Sequence, residues 1–208
     1  MKQNTKLFAI IFLIAGSLAA GFAGTYWLLA PDAESDVGPG KFVVSRLEDV
    51  LPQPGIPKLV VLKQSREIAD FAFQDGQGEI KSLKDWRGKV LVVNLWATWC
   101  APCKVEMPTL DRLQAKLGAD DFAVIAISLD RSGPDGPRKF LEADGLKNLP
   151  LFIDETGEAG FKLKAAGLPT TLIIDRDGRE IARLAGTAEW DSAPVIAFLQ
   201  RTIAGDRL

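Results

Sequence analysis

An α/β fold, a central sheet flanked by helices, is predicted for this chain of 208 residues by three features of its sequence. Val90-Leu91-Val92-Val93-Asn94-Leu95-Trp96 is an almost unbroken apolar run, the pattern of a strand covered on both faces. Shortly after it, Met107, Leu110, Leu113 and Leu117 share one stripe at helical spacing. From there to the end of the chain, strand-like and helix-like segments alternate, as layers of helix on sheet require.

The chain opens with Lys2 and Lys6, then runs free of charge from Leu7 to Ala30. That segment is about 24 residues, roughly 36 Å of helix, and is long enough to cross a bilayer core. Asp32, Glu34 and Asp36 follow, with no Lys or Arg before Lys41. The positive-inside rule therefore places residues 1–6 in the cytoplasm, residues 7–30 across the membrane and the remainder outside. A cleaved signal peptide is the alternative, since Ser17-Leu18-Ala19 and Gly21-Phe22-Ala23 offer small residues at suitable spacing. The length of the apolar core and the Tyr26-Trp27 pair at its outer end favour a retained anchor. Either way the domain is exported to a compartment where disulfides persist.

Residues 31–65 read as a linker, with breakers at Gly38-Pro39-Gly40, Pro52, Pro54-Gly55 and Pro57. Phe42-Val43-Val44, Leu47, Val50 and Leu51 leave room for a short strand or helical turn docked on the domain. A folded domain is expected over residues 66–208, a size that suits a single core. Within it, Phe71–Gln74 and Glu79–Lys81 predict a hairpin across Asp75-Gly76-Gln77-Gly78. Val90–Trp96 is the sheet centre, and the helix after it carries a kinking Pro108 and ends with Gly118 as its C′ residue. A second buried strand is expected over Phe122–Leu129, a loop over Asp130–Gly136, a helix over Pro137–Asp144, a strand over Leu151–Ile153 and a helix over Glu158–Lys164. Thr171–Ile174 and Glu180–Leu184 flank the hairpin signal Asp175-Arg176-Asp177-Gly178. Val195, Ile196, Leu199 and Ile203 mark the inner face of a closing helix.

Composition narrows the chemistry. With 25 Lys and Arg against 27 Asp and Glu, the signs are intermixed and the net charge is -2, so no basic face is offered to nucleic acid. There are two cysteines and no histidine. Structural zinc would lack ligands, and a Cys-His hydrolase would lack its base.

Both cysteines stand in Trp99-Cys100-Ala101-Pro102-Cys103, directly after the central strand. A strand that delivers Cys100 to a helix N-terminus gives it unpaired N–H groups and the positive end of the helix dipole, which favour thiolate over thiol. Cys103, one turn along, is placed to attack a mixed disulfide formed on Cys100. A loop of two intervening residues closes too little chain to be a staple. A two-thiolate Cu(I) site near Met107 remains an alternative. Pro102 fixes φ and offers no N–H, which leaves the Cys103 N–H for the Cys100 sulfur. Glu106, three residues after Cys103, lies on the same helical face and is placed to take the proton Cys103 must lose; half-burial there would raise its pKa. Pro169 precedes a strand, a natural place for a cis bond. Trp96 is assigned to the core and Trp99 to a partner surface.

Three motifs in order carry a resemblance over roughly residues 71–203: Asn94–Pro108, Gly167-Leu168-Pro169-Thr170-Thr171, and Gly186-Thr187-Ala188-Glu189-Trp190. The chain resembles membrane-anchored thioredoxin-like proteins of the TlpA type, in the TlpA/ResA/CcmG group. The resemblance implies a thioredoxin-like fold with a mixed sheet and a β-hairpin extension, and a redox-active Cys100–Cys103 disulfide with no other cofactor. It implies a cis bond at Pro169, in a loop where Leu168, Pro169 and Thr170, with Trp99 and Pro102, contact substrate. Glutamate at the position of Glu106 recurs in such reductases, whereas Asn94 stands where thioredoxin itself has a buried aspartate. The implied activity is reduction of disulfides in exported proteins, such as apocytochrome c or copper-site cysteines of oxidase subunits and their metallochaperones, with electrons from a transmembrane thiol carrier. The expected setting is the bacterial inner membrane, single-pass and monomeric, with the redox domain in the periplasm. A potential nearer thioredoxin's, about −270 mV, than the roughly −120 mV of a strong oxidant is expected; a dithiol oxidase or isomerase would differ in that potential alone.

Overall fold

The structure is a computed structural model that describes residues 50–51, 56 and 59–205. The predicted cytoplasmic segment 1–6, the anchor 7–30 and most of the linker lie outside the described residues. Among those described, no helix is long and apolar enough to cross a membrane.

Nine strands form one mixed sheet: β1 (Val50–Leu51), β2 (Val60–Glu67), β3 (Phe73–Asp75), β4 (Ile80–Lys81), β5 (Val90–Trp96), β6 (Phe122–Ser128), β7 (Phe152–Ile153), β8 (Thr170–Ile174) and β9 (Arg179–Ala185). Their order across the sheet is β1-β2-β9-β8-β5-β6-β7-β3-β4. β5, β6 and β7 run parallel, and the other neighbours pair antiparallel. Among the described residues, four α-helices accompany them: α1 (Ala101–Leu117), α2 (Asp135–Ala143), α3 (Glu158–Lys162) and α4 (Ala193–Ala204).

All seven residues of β5 are buried because both faces are covered. The two-residue period of a strand sorts them into separate layers. Val90, Val92 and Trp96 join Cys103, Met107, Leu110 and Leu113 of α1 and Val195, Phe198 and Leu199 of α4. Leu91, Val93 and Leu95 join Phe71, Phe73, Phe152, Leu163, Leu172 and Ile174 on the other side. Asn94 belongs to the first layer, directly opposite Thr171 of β8.

Both predicted hairpins form, and by the same device. In each turn the leading aspartate, Asp75 or Asp175, accepts two backbone N–H groups through Oδ1, and the closing glycine, Gly78 (φ 86°) or Gly178 (φ 72°), adopts the left-handed conformation. The β3–β4 hairpin extends the sheet beyond β7.

Three expectations need correction. The boundary drawn between residues 65 and 66 falls inside β2, which pairs with β9 and buries Val61 completely; Ile56 and Leu59 ahead of it also enter the core. The density of prolines just upstream conceals this strand from a local reading, because its long partner, β9, is more than a hundred residues away. Gly118 is not a left-handed C′ residue: its φ is −59°, and a side chain there would meet Gln114 Nε2 at 2.1 Å. Gln114 occupies that space because its Oε1 accepts the Val124 N–H at 2.7 Å. The helix expected to run to Lys164 ends at Lys162, with Lys164 itself left-handed at φ 53°. Pro108 lies inside α1, which continues through it.

Candidate active site

Parallel β5 and β6 leave the sheet at one edge, with Trp96 beside Ser128. Asp130 ties their exit loops together: its carboxylate accepts the Thr98 N–H at 2.9 Å, the Thr98 hydroxyl at 2.5 Å and the Ser128 hydroxyl at 2.6 Å. The clamp holds the turn that presents Trp99 and Cys100, in which the Cys100 N–H donates to the Ala97 carbonyl at 3.1 Å. Asp130 was legible only as the start of a loop; its role depends on two loops meeting.

Cys100 is the N-cap of α1, with φ −88° and ψ 98°, and its Sγ accepts the Cys103 N–H at 3.3 Å. Pro102 sits in the first turn, where its missing N–H would have had no helical partner. The two cysteines are disulfide-bonded, with Cα atoms 5.3 Å apart. Cys103 is fully enclosed, whereas Cys100 keeps 5 % exposure at the rim. An incoming thiolate therefore reaches the Cys100 sulfur first. Trp99, 70 % exposed, stands beside it with exposed Ala101 and Pro102. Val105, 74 % exposed, extends this apolar rim by one turn of helix. An apolar residue on the exposed face of α1 is the signal in the sequence that marks Val105.

The Leu168–Pro169 peptide bond is cis. Thr170, the next residue, pairs with Leu95, so the proline loop lies at the same edge of the sheet as the cysteine turn. Leu168 is half-buried, and Pro169 is buried with its carbonyl accepting the Gly186 N–H at 2.9 Å. The Thr170 side chain is turned inward, its hydroxyl donating to the Gly167 carbonyl at 2.7 Å. Thr170 thus braces the loop through its side chain.

Glu106 is more deeply placed than expected, 1 % exposed instead of half-buried. Its Oε1 accepts from Asn94 Nδ2 at 2.8 Å, and its Oε2 accepts from Trp190 Nε1 at 3.0 Å and the Ala188 N–H at 3.2 Å. Burial pushes its pKa above the ordinary glutamate value, and the bonds from Trp190, Asn94 and Ala188 oppose that rise without cancelling it. Thr109 fixes the approach of the third motif: its hydroxyl accepts the Trp190 N–H at 3.1 Å. Trp190 and Thr171 join the site only through the fold, since no local pattern links them to α1. Among the described residues, no group of three or more His, Cys, Asp or Glu side chains could hold a metal ion.

A dithiol at a helix N-terminus, a cis-proline loop beside it and a mixed sheet behind both define a thioredoxin-like oxidoreductase site. The AhpC/TSA family matches residues 65–181. The chain belongs to that family. It is 28 % identical over 186 residues to the thiol-disulfide oxidoreductase ResA of Bacillus cereus, an alignment that covers 89 % of this chain and 91 % of that one. A candidate thiol:disulfide interchange protein DsbE from Chlorobium tepidum superposes with a TM-score of 0.58 at 28 % identity, over 69 % of this chain and 97 % of that one. An exposed lipoprotein thioredoxin from Streptococcus pneumoniae gives a TM-score of 0.52 at 27 % identity, over 64 % and 99 %. The AhpC/TSA chain described here is a thiol-disulfide oxidoreductase, within the group that its three motifs indicate.

Proposed function

We propose that the protein works as a reductase of disulfides in exported proteins, held at the outer face of the bacterial inner membrane by residues 7–30. The observation that carries this reading is the asymmetry of the pair: Cys100 at the rim, its sulfur on the Cys103 N–H, and Cys103 sealed behind it with the buried Glu106 carboxylate one turn on. In the reduced protein, the Cys100 thiolate attacks one sulfur of the substrate disulfide, forming a mixed disulfide and releasing the other substrate sulfur as thiolate. Cys103 then loses its proton to Glu106 and attacks Cys100 Sγ. The Cys100–Cys103 bond forms, the bond to substrate breaks, and the second substrate sulfur leaves as thiolate. Two electrons have passed to the substrate, and an external dithiol, for which a transmembrane thiol carrier is the expected source, must reduce the pair again.

Trp99, Pro102 and Leu168, with the Pro169 loop, would receive the extended substrate chain. Cytochrome c and copper-oxidase maturation are the settings that the family resemblance favours. The relative described as an exposed lipoprotein supports the outward placement. A copper chaperone would want a histidine ligand, and the chain has none. Trapping decides the matter: Cys103→Ser expressed in cells should accumulate disulfide adducts on Cys100 with exported proteins that carry paired cysteines. Absence of such adducts would overturn the proposal. Equilibration with glutathione should give a potential nearer about −270 mV, and a value above about −180 mV would move the protein to the oxidase or isomerase class.

A further inference from the structure

Asn94 occupies a core position of β5 at which every other residue is apolar, and its amide is used unevenly. Nδ2 gives one hydrogen to Glu106 Oε1 at 2.8 Å and the other to Thr171 Oγ1 at 2.9 Å, which exhausts it. Oδ1 of the same amide is buried and, among the described residues, has no partner. The three groups bonded to Glu106, namely Asn94 Nδ2, Trp190 Nε1 and the Ala188 N–H, are all donors in this arrangement. They suit a carboxylate. A carboxylic acid in the same place would direct its own O–H at donor hydrogens, at the cost of an unmet buried donor.

We propose that Asn94 is a proton-linked positioning residue whose amide turns over when Glu106 takes up a proton. Half a rotation about Cβ–Cγ puts Oδ1 where Nδ2 was, so that it accepts the Glu106 O–H. Thr171 makes the reversal possible, because its hydroxyl can donate to Oδ1 as readily as it accepts from Nδ2. Two bonds are kept in either orientation, and the unpartnered end changes from the carbonyl oxygen to the amino group, whose buried N–H donors are then left without a partner in place of the Glu106 O–H. An aspartate at this position would add a second carboxylate that competes for the proton, whereas a leucine could serve neither form.

The inference rests on the reading of Glu106 as acceptor of the Cys103 proton. As Cys103 S–H gives its proton to Glu106 and the Cys103–Cys100 bond replaces the bond to substrate, the amide turns; when the neutral acid releases the proton to solvent or a departing thiolate, it turns back. The groups around Glu106 leave it as the centre of this exchange. At its own end of α1 the titratable groups are Cys100, Cys103 and Lys104, of which Lys104 is exposed. β5 and β8 contribute only uncharged Asn94 and Thr171. From the segment after β9, Glu189 is exposed and Asp191 pairs with Arg112 at 2.7 Å and Lys116 at 3.6 Å.

The test uses the reduced full-length protein with labelled Asn and Glu side chains, followed by NMR through a pH titration. The Glu106 carboxyl carbon and the Asn94 amide should titrate with one midpoint, and the NOEs from the Asn94 amide protons to Thr171 should disappear as Glu106 becomes neutral. Should Glu106 titrate while those NOEs persist, the inference is overturned and the proton role of Glu106 survives. A second measurement follows resolution of a preformed mixed disulfide. Glu106→Gln should slow it about a hundredfold, and Asn94→Leu about tenfold with an altered pH profile. A wild-type rate and profile in Asn94→Leu beside a slow Glu106→Gln removes the inference alone; a wild-type rate in Glu106→Gln removes the reading beneath it as well.

Discussion

Glu106 and Glu180 are both almost wholly buried, at 1 % and 3 % exposure, yet their surroundings are opposite. Glu180 faces cations: Arg183 donates to both of its oxygens, with Nη2 at 2.6 Å from Oε2, and Arg66 approaches at 3.3 Å. Arg183 carries on to the Leu163 carbonyl at 3.2 Å, so the cluster fastens the end of α3, the segment that leads into the cis-proline loop. Glu106 faces neutral donors only. A carboxylate matched by guanidinium groups is a fixed structural charge, whereas one held by neutral hydrogen bonds in a desolvated site can gain and lose a proton at little structural expense. Of these two buried acids, one is set as a fixed charge and the other is set to titrate, and the neighbours decide which is which.

Breaking the structural acid should give the largest change in stability. Arg183→Met leaves Glu180 with Arg66 as its remaining charged neighbour among the bonds described here, and should cost about 3 kcal/mol in chemical denaturation, near the lower end for a broken buried pair. Thiol exchange by the folded fraction should remain close to wild type. A large loss of exchange at full folding would erase the distinction between the two sites.

Glu106 should instead reveal itself through pH. Because burial raises the Glu106 pKa in the folded protein, the native state binds more protons than the unfolded chain between the ordinary glutamate value and the raised one. Stability should be greatest below that window, decline as pH rises through it and level off above. Glu106→Gln should lack the decline, and urea denaturation across acid to neutral pH measures the difference. An unchanged slope in the variant would mean that Glu106 titrates alike in both states.

The smallest effect sharpens the comparison. Trp190→Phe removes one donor from Glu106 Oε2, a bond now at 3.0 Å. Loss of that hydrogen bond should cost about 1 kcal/mol of stability. It should also push the Glu106 pKa higher still, since the Trp190 bond holds it down. Carboxyl-carbon NMR reads the shift directly, and a fall in pKa would contradict the assigned role of the indole.

Much of this architecture is visible in the sequence because its causes are local. The apolar run of β5, the stripe on α1 and the two Asp-led turns each contain the residues that make them fold. Cys100, Pro102 and Cys103 are equally readable, for the helix N-terminus and the spacing lie within five consecutive residues. β2 was not readable, since proline-rich neighbours conceal a strand whose main partner, β9, is distant in sequence. Gly118 was misread for a related reason: the side chain that excludes a Cβ there is held in place by Val124 of β6.

By itself the sequence determined the fold class, the dithiol and its orientation at the head of α1, because hydrophobic period, helix capping and turn chemistry act over a few residues. Only the tertiary structure decided that Glu106 would be sealed rather than half-exposed, that Asn94, Thr171 and Trp190 would surround it, and that Asp130 would brace the cysteine turn. Burial and hydrogen-bond partnership are properties of chain segments far apart in sequence, and they acquire values only when strands such as β5 and β8 come into register.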